Sequence, residues 1–340
     1  MEKEQKSKYI FIELLRILAA FLVIVNHTNS EIFLDRGPSI TWIASLTYFF
    51  MSKMAVPIFV IISGYLMLNK CDDYNKHLKR VRRILLVILI FSLPYYVNAV
   101  GVSGFRLKEY LITILGSSVT NAYWYIYFYA GILVMMPFLQ KFFCALEKKD
   151  FHVFFLMSAI FYMAWPLIVH YIPSLKISEN FEISIFESYL CLLFVGGYFR
   201  KYGFPKIKTK VYVFVYIMCL VFNVIATYFE YRVNSGWYLF FDNRDFLPIV
   251  LQSICIFAIF SKIRMPEKLI SVVKCIGGCT FGIYLLSDLL IDKLRFLYDK
   301  LCESGLYSLV AVVIFEIIIF GVGFVITYAM KKIPFIKNVV

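Results

Sequence analysis

Three titratable side chains interrupt the first apolar run of the chain, and two of them, Arg16 and His27, lie eleven residues apart. On a helix that spacing is roughly 20° past three full turns, so both project from one face, about 16 Å apart along the axis. Glu13 falls on the same stripe. Charges within an apolar span are costly, and they usually face a cavity or a partner. Glu13 and Arg16, at i and i+3, have a second reading as a pair that neutralises itself near the membrane interface. A lone membrane histidine is ordinarily structural; His27, sharing a stripe with a buried arginine, reads as catalytic instead. The second group is a run of cations. Lys76, Lys79, Arg80, Arg82 and Arg83 place five positive charges within eight residues, three of them guanidiniums. A guanidinium fork matches phosphate oxygens bidentately, so the run reads as a phosphate clamp as well as a topology signal.

The elements that must carry these groups are membrane helices. Of the 340 residues, 61% are hydrophobic and only 17% charged; mean hydropathy is +0.77. A soluble domain is about 45–50% apolar and about 25% charged, so the expected fold is an all-α, polytopic helical bundle. Apolar runs lie near 9–29, 42–68, 84–102, 123–143, 151–172, 183–199, 211–229, 246–261, 271–291 and 306–330. Ten spans of about 20 residues leave short loops and no separate soluble domain, so residues 1–340 are expected to form one membrane-embedded domain. Lys and Arg number 24 in alternate segments beginning with the N-terminus, against 9 in the segments between. The positive-inside rule then puts both termini in the cytoplasm. That charge distribution also turns the net charge of +13 away from nucleic acid. Glu13 and Arg16 interrupt the first run and no small-x-small site follows it, so it reads as a retained helix rather than a signal peptide.

Other features refine the layout. Pro57 and Ser63-Gly64 within the second run predict a kink and a close backbone approach. Leu107, Tyr110, Leu111, Ile114 and Leu115 recur at helical spacing and predict a short interfacial or loop helix. Eight cysteines lie mostly within apolar runs and form no C-x-x-C pair; they read as small buried apolar residues rather than a disulfide or zinc framework.

Arg16-x10-His27, VPIFVIISGY at 56–65 and RVRR at 80–83 occur in that order. Tyr123-Trp124-Tyr125, Pro137 and TFGIYLLS at 280–287 follow. With these motifs the chain resembles the acyltransferase family 3 membrane proteins over essentially its whole length. The resemblance implies an O-acyltransferase of the bacterial cytoplasmic (inner) membrane. Its acyl donor would be cytoplasmic acyl-CoA, most simply acetyl-CoA, with no metal. Its acceptor would be a cell-surface glycan or lipid-linked sugar. The partners are then membrane lipids, the donor and the acceptor, without nucleic acid; a homo-oligomer is compatible with it. Arg16 and His27 take over the family's functional pair.

In that frame a cavity through the bundle would keep the donor nucleotide on Arg80, Arg82 and Arg83, with Lys79 a weaker contact, while its long arm carries the thioester inward. An imidazole, with an ordinary pKa near 6.5, accepts a hydroxyl proton near neutral pH. Acting as a base and forming a transient acyl-imidazole are both open to His27. Arg16 would hold the thioester arm or balance developing charge. Glu13, Ser63, Tyr65, Trp124 and Tyr125 are the candidate substrate contacts, Tyr127 joining the aromatic group; an interfacial aromatic belt is the other reading of the last three. One departure stands out: many members carry His where this chain has Ser287, so that role is lost or Asp288 supplies another polar group. The competing class is a transporter or flippase for a polyprenyl-linked sugar, which would also need a polar stripe but commonly shows inverted repeats. A membrane recognition module serving a partner enzyme is a third.

Overall fold

A computed structural model describes residues 9–32, 39–70, 72–175, 188–234 and 246–337, and every element among them is helical. In chain order these are α1 (Ile10–Ile32), α2 (Ile40–Ser52), α3 (Ala55–Met67), α4 (Tyr74–Val100), α5 (Leu107–Gly116), α6 (Trp124–Ala145), α7 (Lys148–Ser158), α8 (Trp165–Tyr171), α9 (Ser188–Tyr202), α10 (Thr209–Asn234), α11 (Leu247–Phe260), α12 (Glu267–Glu303), α13 (Ser308–Met330) and α14 (Pro334–Lys337). A 3-10 turn at Asn121–Tyr123 leads into α6, and a π-helical stretch at Ala159–Ala164 joins α7 to α8. Eight segments are long and apolar enough to cross a membrane, making this a multi-pass membrane protein. They coincide with eight of the ten apolar runs. The other two runs hold α9 and α11, of 15 and 14 residues, whose preceding segments lie largely outside the described residues. α5 covers the short amphipathic helix expected from the sequence. Cys191, Cys255 and Cys279 are buried free thiols as expected, but Cys219 and Cys302 are half-buried and Cys144 and Cys275 exposed; Cys71 lies outside the described residues.

The second apolar run is two helices rather than one. α2 ends at Ser52, Lys53 and Met54 form a turn, and α3 starts at Ala55. Pro57 explains the break. It has no N–H to give the carbonyl of residue 53, and its ring crowds that carbonyl. At position three of α3 the same proline is tolerated, because the first N–H groups of a helix have no partner within it. Ser63-Gly64 therefore is not the kink, and serves close approach instead. A Cβ on Gly64 would lie 1.8 Å from the Leu193 carbonyl oxygen, and one on Gly196 would lie 2.0 Å from that of Ile61. α3 and α9 cross where neither can carry a larger residue.

Three further packings frame the site. α1 lies against α3 on one side and α12 on the other, while α4 packs along α6. Gly277 lets α12 approach α1 at the level of Glu13, whose Oε2 would be 2.4 Å from a Cβ there. α12 runs 37 residues, about 55 Å at 1.5 Å per residue, and so extends well beyond a ~30 Å hydrocarbon layer. The cationic run lies inside α4 rather than in a loop.

Candidate functional site: two cavities that share a tyrosine

The helical setting of the cations sorts them. Arg80 and Arg83, three residues apart on α4, both line a cavity of about 450 Å3 between α1, α3, α4, α6 and α12. Arg16 from α1 and Lys331 from the end of α13 complete a set of four cationic side chains around it, and no carboxylate is among its lining residues. Ser63 and Tyr125 line it as well, and Phe59, Leu66 and Leu133 supply apolar wall. Arg82, turned about 200° from Arg80, sits instead in an outward groove of Leu78, Val81, Leu85, Leu86 and Leu89. Lys79 is exposed and does not line the cavity.

The cations have different neighbours. Arg16 donates to Glu13 Oε1 at 2.9 Å, the i,i+3 pairing that the sequence offered as one of its two readings. Glu13 is thereby held between Arg16 and Gly277 and is not part of the cavity wall. Arg80 donates to Asp72 Oδ2 at 2.7 Å, and Lys76 to Asp72 Oδ1 at 2.6 Å. Burial alone would raise the Asp72 carboxyl, but the hydrogen bonds and charges of Lys76 and Arg80 outweigh it and hold the group down at about 2. Asp72 is therefore ionised at any pH where the protein works, and part of the Arg80 charge is committed to it.

His27 opens on a different space. It lines a pocket of about 30 Å3 together with Asn26, Lys53, Val56, Trp124 and Tyr284. Such a volume suffices for a water or a hydroxyl group, which needs about 10–15 Å3 on this measure. His27 Nδ1 lies 3.2 Å from Asp288 Oδ1, at ion-pair distance but without hydrogen-bond alignment. The other oxygen of Asp288 accepts from the Thr120 hydroxyl and from the Ala122 N–H, the latter at 3.2 Å. Aligned with Nδ1, the carboxylate would favour the tautomer with its proton there and leave Nε2 as the basic nitrogen. Asp288 thus places a polar group beside His27, whereas the buried hydroxyl of Ser287 donates to the Tyr284 carbonyl of its own helix at 2.8 Å.

Two tyrosines fix the stretch of α12 that presents Asp288. The Tyr95 hydroxyl donates to the Leu285 carbonyl at 2.9 Å and accepts from the Leu289 N–H at 3.2 Å, joining two groups that ordinarily bond each other in a helix. Tyr123 donates to the same Leu285 carbonyl at 2.8 Å. Neither Tyr95 nor Tyr123 carries a sequence signal for a positioning role. Only the tertiary approach of α4 and of the 3-10 turn before α6 to α12 reveals it.

Arg16 and His27 therefore share a helix but line separate cavities, and Tyr284 belongs to the wall of both. Its ring stacks on Tyr123 and Phe281, and its hydroxyl donates to the Ala122 carbonyl at 2.5 Å. The expected single passage through the bundle is, in this structure, two spaces that share the Tyr284 side chain in their walls. The aromatic candidates separate in the same way: Trp124 lines the His27 pocket and Tyr125 the larger cavity, whereas Tyr127 donates to the Ile114 carbonyl at 2.7 Å and braces α5. Tyr65 lies about 200° from Ser63 on α3. It packs against Phe11 and Phe257, with the Arg200 guanidinium 5.5 Å over its ring, and lines neither cavity.

Comparison with known families matches residues 9–331 to the acyltransferase domain of acyltransferase family 3, and the chain belongs to that family. Searches of curated proteins and of solved structures returned no match.

Proposed function

Proceeding from that membership, we propose that this membrane acyltransferase moves an acyl group, most simply acetyl, from cytoplasmic acyl-CoA to a hydroxyl of a cell-surface or lipid-linked glycan at the bacterial cytoplasmic membrane. The observation that carries the reading is the pairing of spaces. A cavity ringed by Arg16, Arg80, Arg83 and Lys331 suits a polyanionic donor, and it meets a His27–Asp288 pocket across Tyr284. The excess of Lys and Arg in alternate segments supports placing the cationic end of α4 in the cytoplasm.

The donor's phosphates bind Arg83 and Arg80, and its pantetheine arm follows the apolar wall inward past Arg16. The acceptor approaches from the other side, and only its reacting hydroxyl enters the His27 pocket. His27 Nε2 takes the hydroxyl proton as the oxygen attacks the thioester carbonyl. Asp288 keeps the imidazole oriented and stabilises the imidazolium that forms. For the two substrates to meet, the thioester must pass Tyr284, so movement of that ring belongs to the reaction cycle.

The test is acyl transfer by purified protein in lipid nanodiscs, given radiolabelled acetyl-CoA and a panel of polyprenyl-linked and free glycans. Label that becomes glycan-bound and is released by mild base as acetate supports the reading. Glycan movement across proteoliposomes without any acyl transfer would overturn it in favour of a transporter.

A further inference from the structure

Lys53 is the cation that the proposed mechanism leaves unused. It sits in the turn that Pro57 imposes between α2 and α3. Only 8% of the residue is exposed, and its ammonium lies 3.9 Å from the centre of the buried Phe49 ring. An aromatic face holds a desolvated cation well. Burying a lysine's charge is expensive unless that charge has a use. The wall it shares says what that use is, because Lys53 and His27 line the same small pocket.

We propose that Lys53 stabilises the oxyanion formed during acyl transfer at His27, an inference that rests on the proposed acyl-transfer function. The acceptor oxygen bonds to the thioester carbon, its proton passes to His27 Nε2, and the carbonyl π pair moves onto oxygen. Lys53 faces that new negative charge. On collapse the C–S bond breaks and the thiolate takes the proton from His27, giving an ester and a free thiol. Lys53 places a positive charge in the wall of a buried site where an oxyanion forms, and an uncompensated negative charge there is what desolvation penalises most.

The experiment compares Lys53→Met, Lys53→Gln and Lys53→Arg with the wild type in nanodiscs. It measures kcat, KM for acetyl-CoA, donor binding and the thermal unfolding midpoint. The neutral variants should lose about 10²–10³-fold in kcat, the scale of losing one preorganised oxyanion contact, with donor KM within about twofold of wild type. Lys53→Arg should recover at least a tenth of the wild-type kcat, because the charge remains. A folded neutral variant with wild-type kcat overturns the proposal. If both neutral variants fail to fold, Phe49→Leu decides, since it loosens the ammonium without removing it: a several-fold loss in kcat upholds the proposal, and an unchanged kcat assigns Lys53 to structure. Absence of transfer by the wild type itself would sink the acyl-transfer reading rather than this inference, so the two failures are distinguishable.

Discussion

The two cavities that meet at Tyr284 are built on opposite principles. The larger is edged by cations on α4 and at the end of α13, tolerates a bulky ligand, and is lined by charge of one sign. The smaller admits a single functional group and brings His27, with Asp288 beside it, and Lys53 together. Opposed designs predict opposed failures. Damage to the small pocket should stop chemistry and spare donor binding, whereas damage to the large one should weaken donor binding and leave residual chemistry at saturation.

The largest effect belongs to His27. His27→Ala should reduce kcat by about 10²–10⁴-fold, the range for losing a positioned base, with insertion and acetyl-CoA binding unchanged. Asp288→Asn should follow with roughly a 10²-fold loss, because the amide no longer favours the Nδ1-protonated tautomer. Single-turnover transfer and donor binding on the same samples check both. Weak donor binding in His27→Ala would mean that the two cavities are one site energetically, and the comparison would fail.

Arg16 comes next, since it stands in the larger cavity yet shares α1 with His27. Arg16→Ala should impair both kcat and donor KM severely. Arg16→Lys should recover only part of the loss, because an ammonium lacks the planar fork that holds Glu13 at 2.9 Å while still presenting donors to the cavity. Full rescue by lysine would reduce Arg16 to a point charge.

How far this division could be read from the sequence depends on the residue. Arg16, His27 and the run ending at Arg83 declare themselves because charge in an apolar stretch is rare. The helical character of 74–83 was within reach: letting α4 begin at Tyr74 rather than near 84 would have put Arg80 and Arg83 on one face and Arg82 on another. Lys53 was legible in part, since Pro57 cancels the partner of its carbonyl and marks the break. Asp288 was visible as the neighbour of Ser287, but its 3.2 Å contact with His27 joins residues 261 positions apart and follows only from the packing of α1 on α12. Tyr284 lies within the TFGIYLLS motif, but the motif attaches no role to it; that role follows only from the two cavities whose walls it shares.

The same sorting of cations gives an intermediate effect. Arg83→Gln should raise the KM for acetyl-CoA with kcat at saturation nearly unchanged, by about 10-fold to 150-fold if a charged hydrogen bond worth roughly 1.5–3 kcal/mol is lost. Arg82→Gln, in the outward groove, should leave donor KM within about twofold of wild type once orientation is confirmed by cysteine labelling at positions 75 and 299. Donor KM should also rise with salt for the wild type and less steeply for Arg83→Gln, because exposed charges are screened over about 8–10 Å. Equal effects from Arg82 and Arg83 would show that the run acts as a diffuse charge rather than through one helix face.

The smallest effect is expected at Asp72, which lies at the edge of this arrangement and restrains one of its cations. Its carboxyl accepts from Lys76 and Arg80 and is held at about 2, below the ordinary aspartate value near 3.9. A depressed carboxylate contributes its stabilisation above its unfolded value and loses it as pH falls from about 4 through about 2. Between pH 5 and 9 the clamp on Arg80 is therefore constant, and pH dependence of donor KM in that window has another source. Asp72→Asn removes the clamp's charge and adds one net positive charge beside the cavity. Donor KM should then fall, by less than about fivefold, since partly exposed ion pairs are worth about 0–1 kcal/mol. A rise in KM would reverse the role of the carboxylate. Asp72 would then be holding Arg80 in its binding position rather than competing with the donor for it, and the larger cavity would depend on fixed geometry as the His27 pocket does.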